Sequence, residues 1–434
     1  MMKAVILAAG EGVRLQPITS TRPKHLIKVG GKPILQHCLD ALKASGIEEA
    51  VIVVHYMADM VRQYFGDGKR LGMKIEYVEQ PSALGTGNAV SVAEPLVKDE
   101  FLLVYGDLLF SPEAVKGVIT MHQKEKPTAT MAVVPVEKPE SYGVAELENE
   151  KQVKRIVEKP KREEAPSSLA NAGIYVFSTD VFERIRNTSA STRGEWEITD
   201  AISLLLNEKK AILAVRISSD DWFDVGKPWD LLEANRWTLM RMNHKVCGNV
   251  ENGAHLIGPV TVAETARIRS GAYIEGPALI DDESDIGPNC YIRPYTSVGQ
   301  KARIGNACEI KGSIIMDRVH TGHLSYVGDS IIGEKCNLGA GTITGNYRLD
   351  AESIKMMVKG EVVDSGRRKL GAVLGDNVKT GIGALLMPGV KVGCNSWIGP
   401  NVVVCRDVPE DTALLLKQDL EEKKLNSQSL LSDS

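Results

Sequence analysis

Residues 260–310 read VTVAETARIRSGAYIEGPALIDDESDIGPNCYIRPYTSVGQKARIGNACEI. An aliphatic side chain recurs at every sixth position without a miss: Val262, Ile268, Ile274, Ile280, Ile286, Ile292, Val298, Ile304 and Ile310. Two residues ahead of each stands a second, mostly small series: Val260, Ala266, Ala272, Ala278, Ser284, Cys290, Thr296, Ala302 and Cys308. The pattern pauses, reappears at Ile332 and Leu338, and returns at Leu374, Thr380, Leu386, Val392, Ile398 and Val404. No helix has a period of six, and a hairpin meander does not hold such a count. A coil of three short faces does, with about eighteen residues per turn stacking on the next. The aliphatic residue then points inward, and the small residue fits where the interior narrows. Gly287, Gly299, Gly305, Gly333, Gly339, Gly375, Gly393 and Gly399 follow an inward residue, where a corner is expected to bend.

The repeat resembles that of the left-handed parallel β-helix. It fills less than half of the 434 residues, and a chain of this length holds two or three domains. A net charge of -4 offers no broad basic field, so no nucleic-acid partner is expected. No apolar run is long enough to span a bilayer, so no membrane partner is expected either. The start, Met1-Met2-Lys3-Ala4-Val5-Ile6-Leu7, runs directly into a strand and lacks a cleavage-site pattern, unlike a signal peptide. Seven cysteines are scattered without a CxxC pair, and Cys290, Cys308 and Cys336 take the small-residue slot of the repeat. They read as packing residues, and a reducing cytoplasm is the simplest compartment.

The first portion alternates strand and helix. Residues 3–7, 51–54, 75–78 and 101–105 are apolar runs of strand length. Residues 33–42 carry a helical stripe at Ile34, Leu35, Cys38, Leu39 and Leu42, closed by Gly46, and residues 59–65 form a second helix. A third helix starts near Gly87. Strands follow at 130–136, 170–177 and 212–217, with helices at 180–185 and 198–207. The order predicts an α/β, Rossmann-like domain with a mostly parallel sheet. Residues 228–243 read as one helix with Trp229, Leu232, Trp237, Leu239 and Met240 on its apolar side, leading into the coil near residue 246. The coil's pattern stops after Val404, and residues 419–434 form a polar tail that begins as a short helix and frays.

In an open α/β sheet, ligands sit at the carboxyl ends of strands. The loop Leu7-Ala8-Ala9-Gly10-Glu11-Gly12-Val13-Arg14-Leu15 leaves such an end, and its glycines let backbone N–H groups approach phosphate. A dinucleotide fold is the rival, but the third glycine position is Leu15 and the next strand ends at His55 rather than an acid. Arg14 and Lys24 are two cations close to the loop, which suits a triphosphate attacked at its α-phosphorus. Asp107 and Asp224 each end an apolar strand. Taken alone, either serves as readily as a turn or helix cap; together they suit Mg²⁺ shared with phosphates.

These residues carry a resemblance. Residues 7–15 with Arg14 and Lys24, then Gln80, Leu84-Gly85-Thr86-Gly87, Tyr105-Gly106-Asp107, Tyr142-Gly143, Ile156-Val157-Glu158-Lys159-Pro160 and Asn171-Ala172-Gly173 follow in order. The set is similar to that of the sugar-1-phosphate nucleotidyltransferases over roughly the first 230 residues. The resemblance implies nucleotide contacts from Leu7, Ala8, Ala9, Gly10, Gln80, Gly85, Thr86 and Asp107, with Gln80 and Gly85 on the base. It implies Arg14 and Lys24 on the triphosphate and the transferring phosphoryl, and Mg²⁺ on Asp107 and Asp224. Gly143, Glu158, Lys159 and Asn171 would contact the sugar. The reaction implied joins an NTP and a sugar 1-phosphate into an NDP-sugar and pyrophosphate by in-line attack, without a protein nucleophile. Residues 222–230 (WFDVGKPWD) and 195–200 resemble the glucose-1-phosphate thymidylyltransferase branch, and the bacterial acetylglucosamine uridylyltransferases have Asn where Asp224 stands. UTP and dTTP, and N-acetylglucosamine and glucose 1-phosphate, therefore stay open.

The coil carries polar residues it does not need for stacking: Arg293, Lys311, His323, Tyr326, Asn337, Asn346 and Tyr347. A histidine there can take a proton near neutral pH, although a single one is more often a plain surface residue. Residues 322–329, Asn337-Leu338-Gly339-Ala340-Gly341-Thr342 and Asn346-Tyr347 resemble the acetyltransferase half of the bifunctional N-acetylglucosamine-1-phosphate uridylyltransferase / glucosamine-1-phosphate acetyltransferase family. The resemblance implies His323 as the base taking the amine proton as the sugar attacks acetyl-CoA. Arg293 and Lys311 would bind the sugar phosphate; Tyr326, Asn337, Asn346 and Lys369 would contact the sugar; Ala340 would line the CoA channel. The segment 346–369 is longer than the family's, and Ile382 and Pro400 stand where small CoA-contacting residues are usual.

The implied organisation is a nucleotidyltransferase domain at 1–227, a linker helix at 228–246, a left-handed β-helix acetyltransferase domain at 247–416 and a tail at 417–434. By analogy with the family, such coils form homotrimers with sites between neighbours. The alternative reading is a monofunctional sugar-phosphate nucleotidyltransferase whose coil is only structural, and a third is a scaffold subunit that has lost catalysis. His323 with Arg293, Lys311, Tyr326 and Asn337 argues against the second, and intact Arg14, Lys24 and Asp107 against the third.

Overall fold

The computed structural model describes residues 2–191 and 194–424. Strands β1 (Lys3–Ala8), β2 (Glu49–Val54), β3 (Lys74–Glu79) and β4 (Phe101–Tyr105) pair in parallel in the order β4-β1-β2-β3. β1 is buried from Ala4 to Ala8, because a strand covered on both faces needs apolar side chains at every position rather than at alternate ones. Ala4, Ile6 and Ala8 meet α1 (Ile34–Ala44), α2 (Ala58–Phe65) and, through the same core, a later helix over Pro112–Glu125. Val5 and Leu7 face the opposite core, to which Thr86–Ser91, Asp180–Arg186 and Ile198–Asn207 contribute.

The second half of the sheet departs from the expected mostly parallel arrangement. After the short β5 (Leu108–Phe110) come β6 (Ala129–Pro135), β7 (Gly143–Leu147), β8 (Val153–Glu158) and β9 (Leu169–Phe177). β9 runs antiparallel to β4, β6 and β7, and β7 is antiparallel to β8. For β7 and β8 the reason is connection length. Glu148 N–H donates to Gln152 O at 2.9 Å across a tight turn, which allows a hairpin and no parallel crossover. β10 (Ile212–Arg216) closes the nine-stranded sheet beside β6, and β11 (Trp222–Asp224) pairs with β5.

From Asn249–Val250 onward the chain winds into three parallel sheets of 9, 8 and 7 strands, a parallel β-helix. Equivalent residues stack turn on turn: Ile268 on Ile286 on Ile304, Ile274 on Ile292 on Ile310, and Ile280 on Val298. All of the six-residue series from Val262 to Val404 except Thr380 and Leu338 is 2 % exposed or less, and those two are nearly so. Two expectations are corrected. The coil does not pause between Ile310 and Ile332: Ile315, Thr321 and Val327 fill the inward positions there. Two faces of these turns are one residue short, so the count slips while the stacking continues.

The glycines, second, do not bend the corners. Of the eight singled out, only Gly287 has a positive φ. The corners are bent by Glu283, Asn289, Tyr295, Lys301 and Ala307, six residues apart, with φ between 48° and 66°. Gly305 answers a different need: a Cβ there would stand 1.9 Å from the carbonyl oxygen of Gly322 one turn on. Bare backbone is what lets the next turn close on it.

The long segment after Thr344 leaves the coil and returns without disturbing register, since Leu338 still stacks on Thr380 and Thr344 on Leu386. It folds into a hairpin, Lys355–Val358 against Glu361–Asp364. Ile354, Met356 and Val358 join Trp229, Leu231 and Leu232 of the helix Pro228–Arg241, together with Ile314, Met316, Ile331 and Val373 on the coil's third face. The helix therefore turns its buried side to coil and hairpin together. It ends at Arg241 rather than 243, and Met240, expected on the apolar side, is 57 % exposed because it lies opposite that contact. No helix covers residues 419–424, contrary to the expected start of the tail; residues 425–434 lie outside the described residues.

Ile292→Ala removes a fully buried side chain between two stacked neighbours. Its expected cost is about 2 to 5 kcal/mol, read from urea denaturation, whereas Val403→Ala on the outer surface changes the midpoint little.

Candidate functional site

β1 and β4 pair with Leu7 opposite Tyr105, so the loop after Ala8 and the Gly106-Asp107 turn emerge at one carboxyl edge. Gly106 N–H donates to Leu7 O at 2.9 Å. A cleft of about 250 Å³ opens there, lined by Leu7, Ala9, Gly10, Lys24, Gln80, Gly85, Thr86 and Asp107 from the sequence-derived set, with His25, Ala83, Ala89, Tyr105 and Glu195 besides. Gly85 is a true requirement: its φ is 103°, and a Cβ would meet the carbonyl oxygen of Trp196 at 2.6 Å. Gln80 is buried, and its amide N–H₂ donates to Gly85 O at 3.2 Å and Asn88 Oδ1 at 2.8 Å, which fixes its carboxamide.

Lys24 is ion-paired with Asp107. Burial alone would raise the Asp107 carboxyl, but the Lys24 charge and hydrogen bond hold it below the usual range. Asp224, opposite Leu108 in the β5–β11 pair, is pushed up to about 7 by burial and by the Asp107 carboxylate. Asp230 is raised to about 6, chiefly by burial, while it accepts N–H bonds from Gly226 at 3.1 Å and Lys227 at 2.7 Å. Arg14 is exposed on the turn Val13–Leu15, close to Asp224 and Gly226. Three carboxylates and two cations thus crowd one edge, an arrangement that a phosphate chain with a divalent cation would relieve.

Ala8 is buried at the end of β1 and does not line the cleft. Gly143, Glu158, Lys159 and Asn171 also lie outside its lining. They gather where β7, β8 and β9 meet. Glu158 accepts from Thr199 Oγ1 at 3.1 Å and lies against Gly143, whose Cβ would stand 2.9 Å from Glu158 Oε2. Lys159 Nζ is 3.9 Å from Glu158, and Asn171 is bonded to the Tyr175 hydroxyl and to Gly173 N–H. Sequence reasoning missed His25. It is 1 % exposed, neither ring nitrogen has a protein partner, and burial with the Lys24 charge pushes its pKa down to about 3, so the ring is neutral. Its position directly after Lys24 was the available signal.

In the coil, Lys311 Nζ donates to both Asp329 oxygens, at 3.0 and 2.7 Å. Asn346 Nδ2 donates to Asp329 Oδ2 at 2.6 Å and to Tyr326 Oη at 3.0 Å. Gly328 is bare because a Cβ would fall 2.5 Å from Tyr326 Oη. Asp329, to which the sequence assigned no role, is therefore the hub. Arg293 is paired with Glu309 at 2.9 Å one turn away on the same face. His323 is exposed at the end of the strand His320–His323, across the corner at Leu324 from Tyr326. Asn337 is exposed on the face of His323, stacked on His320. Lys369 is exposed beside Tyr347, and Ala340 accepts from Gly383 N–H at 2.8 Å on the turn after Asn337. One chain thus links Lys311, Asn346 and Tyr326 through Asp329 and leaves His323 and Asn337 around the corner.

Residues 3–240 match the nucleotidyl transferase family, and residues 256–387 match the GMPPB C-terminal domain. The first match spans more than half of the chain, which is a nucleotidyl transferase by family. A solved UDP-glucose pyrophosphorylase, complexed with UDP-glucose, is 28% identical with a TM-score of 0.52, covering 56% of this chain and 100% of that one. A bifunctional protein GlmU of Methanococcus maripaludis is 44% identical over 419 residues, 96% of this chain and 98% of its own. A bifunctional sugar-1-phosphate nucleotidylyltransferase/acetyltransferase of Sulfurisphaera tokodaii is 42% identical over 410 residues, 94% and 98% respectively. Over nearly its full length the chain belongs to this bifunctional GlmU family.

The two coil cations are set apart by burial. Lys311→Met leaves the nearly buried Asp329 carboxylate without its cation and is expected to cost about 3 kcal/mol, the low end for a buried pair because Asn346 still donates to it. Arg293→Met breaks a pair open to solvent and is expected to cost under about 1 kcal/mol. Chemical denaturation of the two variants checks the difference.

Proposed function

We propose that this protein acetylates glucosamine 1-phosphate with acetyl-CoA at the coil and then joins the N-acetylglucosamine 1-phosphate to UTP in the N-terminal cleft, releasing pyrophosphate. The observation that carries the reading is the presence, in one chain, of two separate polar clusters: Lys24, Asp107 and Asp224 at the sheet edge, and Lys311, Tyr326, Asn346 and Asp329 beside His323 on the coil. A purely structural coil has no need of the second. The full-length similarity to bifunctional relatives supports the same reading.

In the cleft, the sugar phosphate oxygen attacks the α-phosphorus in line and pyrophosphate leaves. Arg14 and Lys24 neutralise the charge that builds on the phosphoryl oxygens. Gly10 leaves room beside Lys24, since a Cβ there would meet Lys24 Cε at 3.4 Å. Gln80 and Gly85 hold the base, and Glu158, Lys159, Asn171 and Gly143 the sugar. Asp107 and Asp224 fit Mg²⁺: two acidic side chains close enough to raise one pKa to about 7 make a place for a hard cation. When bound, the ion supplies charge neutralisation to the phosphates.

On the coil, the sugar amine attacks the thioester carbonyl and the CoA thiolate leaves. His323 takes the amine proton, and its exposed ring is free to do so. The phosphate is held by Lys311 and Arg293, displacing their carboxylate partners in part. Tyr326, Asn337, Asn346 and Lys369 face the sugar, and Ala340 faces CoA. Because His323 and Tyr326 lie on adjoining faces, a neighbouring copy closes the site. Ile343, Leu385 and Val403 stack as an exposed apolar column on the Tyr326 face, which supports a homotrimer.

Thiol release from acetyl-CoA with glucosamine 1-phosphate tests the coil: wild type releases thiol, and His323→Ala does so at least about 100-fold more slowly. No thiol from wild type with any amino-sugar phosphate sinks the bifunctional reading. Asp107→Ala loses pyrophosphate release and keeps thiol release. A panel of UTP and dTTP with glucose 1-phosphate and N-acetylglucosamine 1-phosphate fixes base and sugar. The pH dependence has a definite sign. A carboxyl with its pKa raised to about 7 is protonated below that pH, and a proton competes with a metal. Calorimetric Mg²⁺ affinity therefore falls from about pH 8 to about pH 6; equal affinity at both excludes Asp224 as a ligand.

A further inference from the structure

The strap between Gly12 and Val29 carries Arg14 and Lys24, and the coil holds its back through Arg22, Thr21 and Lys28. Arg22, 8 % exposed, places one guanidinium nitrogen on Glu334 and another on Asp376. Thr21 Oγ1 donates to the same Asp376 oxygen at 2.7 Å, and the other oxygen of Asp376 accepts from Glu334 N–H at 2.8 Å. Cys394 Sγ lies 3.5 Å from Pro17 O, and Lys28 is paired with Asp317 at 2.6 Å. Asp317, Glu334, Asp376 and Cys394 are not a random set. Each lies two residues after an inward residue, Ile315, Ile332, Leu374 and Val392, and those four stack on one another. One corner of four successive turns therefore faces the strap, three of the four positions being acidic against Arg22 and Lys28.

The strap is also anchored in its own domain: Leu15, Ile18, Ile27 and Val29 are buried in one core with Ile34, Leu109 and Val225, and beyond Lys24 the Ile34 N–H donates to Ile27 O at 3.0 Å. Thr19 Oγ1 donates to Gly12 O at 2.9 Å, and the Tyr56 hydroxyl donates to Thr19 O at 3.1 Å. Both lie ahead of Arg22. Between Arg22 and Lys24 there is one residue, Pro23, whose φ is -66°, so a displacement of Arg22 passes to Lys24 with little slack.

We propose that Arg22 is a positioning residue for nucleotidyl transfer, clamped by Glu334 and Asp376 so that the coil sets where Lys24 stands. The proposal rests on the assignment of Lys24 to the phosphates. It makes two coil carboxylates, remote in sequence, determinants of a rate at the N-terminal cleft. A shift of about 1 Å in a phosphate-binding cation is enough to cost up to about a hundredfold in rate.

The test uses the full-length protein and four variants: Arg22→Met, Arg22→Lys, Asp376→Asn and Lys24→Met, with Arg22→Met/Asp376→Asn as the double. Pyrophosphate release, thiol release and thermal melting are measured on each. The expected result is a kcat for pyrophosphate release lowered about 10- to 100-fold in Arg22→Met, less in Asp376→Asn, with KM for the sugar phosphate and thiol release within about twofold of wild type. Arg22→Lys, which keeps a charge for the carboxylates, recovers part of the loss. The double falls no further than Arg22→Met alone, because both changes undo one clamp. Should Arg22→Met not fold, Asp376→Asn and Glu334→Gln carry the same expectation in milder form. Wild-type kcat in the folded Arg22→Met and Asp376→Asn proteins, beside a dead Lys24→Met, overturns the clamp and leaves the site assignment standing. An active Lys24→Met overturns the site assignment itself. Equal loss of both activities with lowered melting also overturns the proposal, since Arg22 then only holds the fold together.

Discussion

Parallel pairing between successive turns, held in register, is the constraint on which the coil's every other property depends. Because each residue sits over its equivalent one turn back, a choice made at one position becomes a column. The inward column is the core, from Val262 to Val404. The third face offers Ile314, Ile331 and Val373 as a column to the connecting helix. A corner column offers carboxylates to the strap of the first domain. The left-handed corners at Glu283, Asn289, Tyr295, Lys301 and Ala307 each cost on the order of 1 kcal/mol, and the stacked cores on either side over-determine them. Two short turns around Val327 leave the columns standing, so register is held by pairing and not by residue count.

In the first domain the comparable constraint is the pairing of β1 with β4, which brings a glycine-bearing loop and Asp107 to one edge. Burial then concentrates charge there. Asp107 is held ionised by Lys24, and Asp224 pays for that with a carboxyl that gives up its proton only near neutral pH. His25, shut away beneath them and neutral, contributes a polar ring without adding charge. The edge is thus poised for ligands that bring both negative and doubly positive charge.

The six-residue series was fully legible because it records a geometric repeat, and the strand-helix alternation because strands buried on both faces are apolar throughout. What could not be read follows from contacts between distant residues. The slip between Ile310 and Ile332 looks like a gap until pairing shows Ile315, Thr321 and Val327 in place. The corner glycines look like bends, yet all but Gly287 answer to the closeness of the next turn, which no local pattern contains. The antiparallel half of the sheet was hidden because Thr130 or Tyr175 reads the same in either direction. Most of the cleft's lining was named from the sequence; Asp329 and His25 were not, since a buried hub and a neutral histidine announce themselves only through partners and burial.

The ion pairs of Arg22 span 312 and 354 positions of chain. During synthesis the strap leaves the ribosome first and its carboxylate partners among the last. The sheet of the first domain can form as soon as β10 and β11 are made, but the carboxylates that hold Arg22 are supplied only after most of the coil has wound. A strap translated early is therefore fastened late, and a chain cut short before Asp376 would carry every residue of the nucleotide cleft and still lack a carboxylate that holds Arg22.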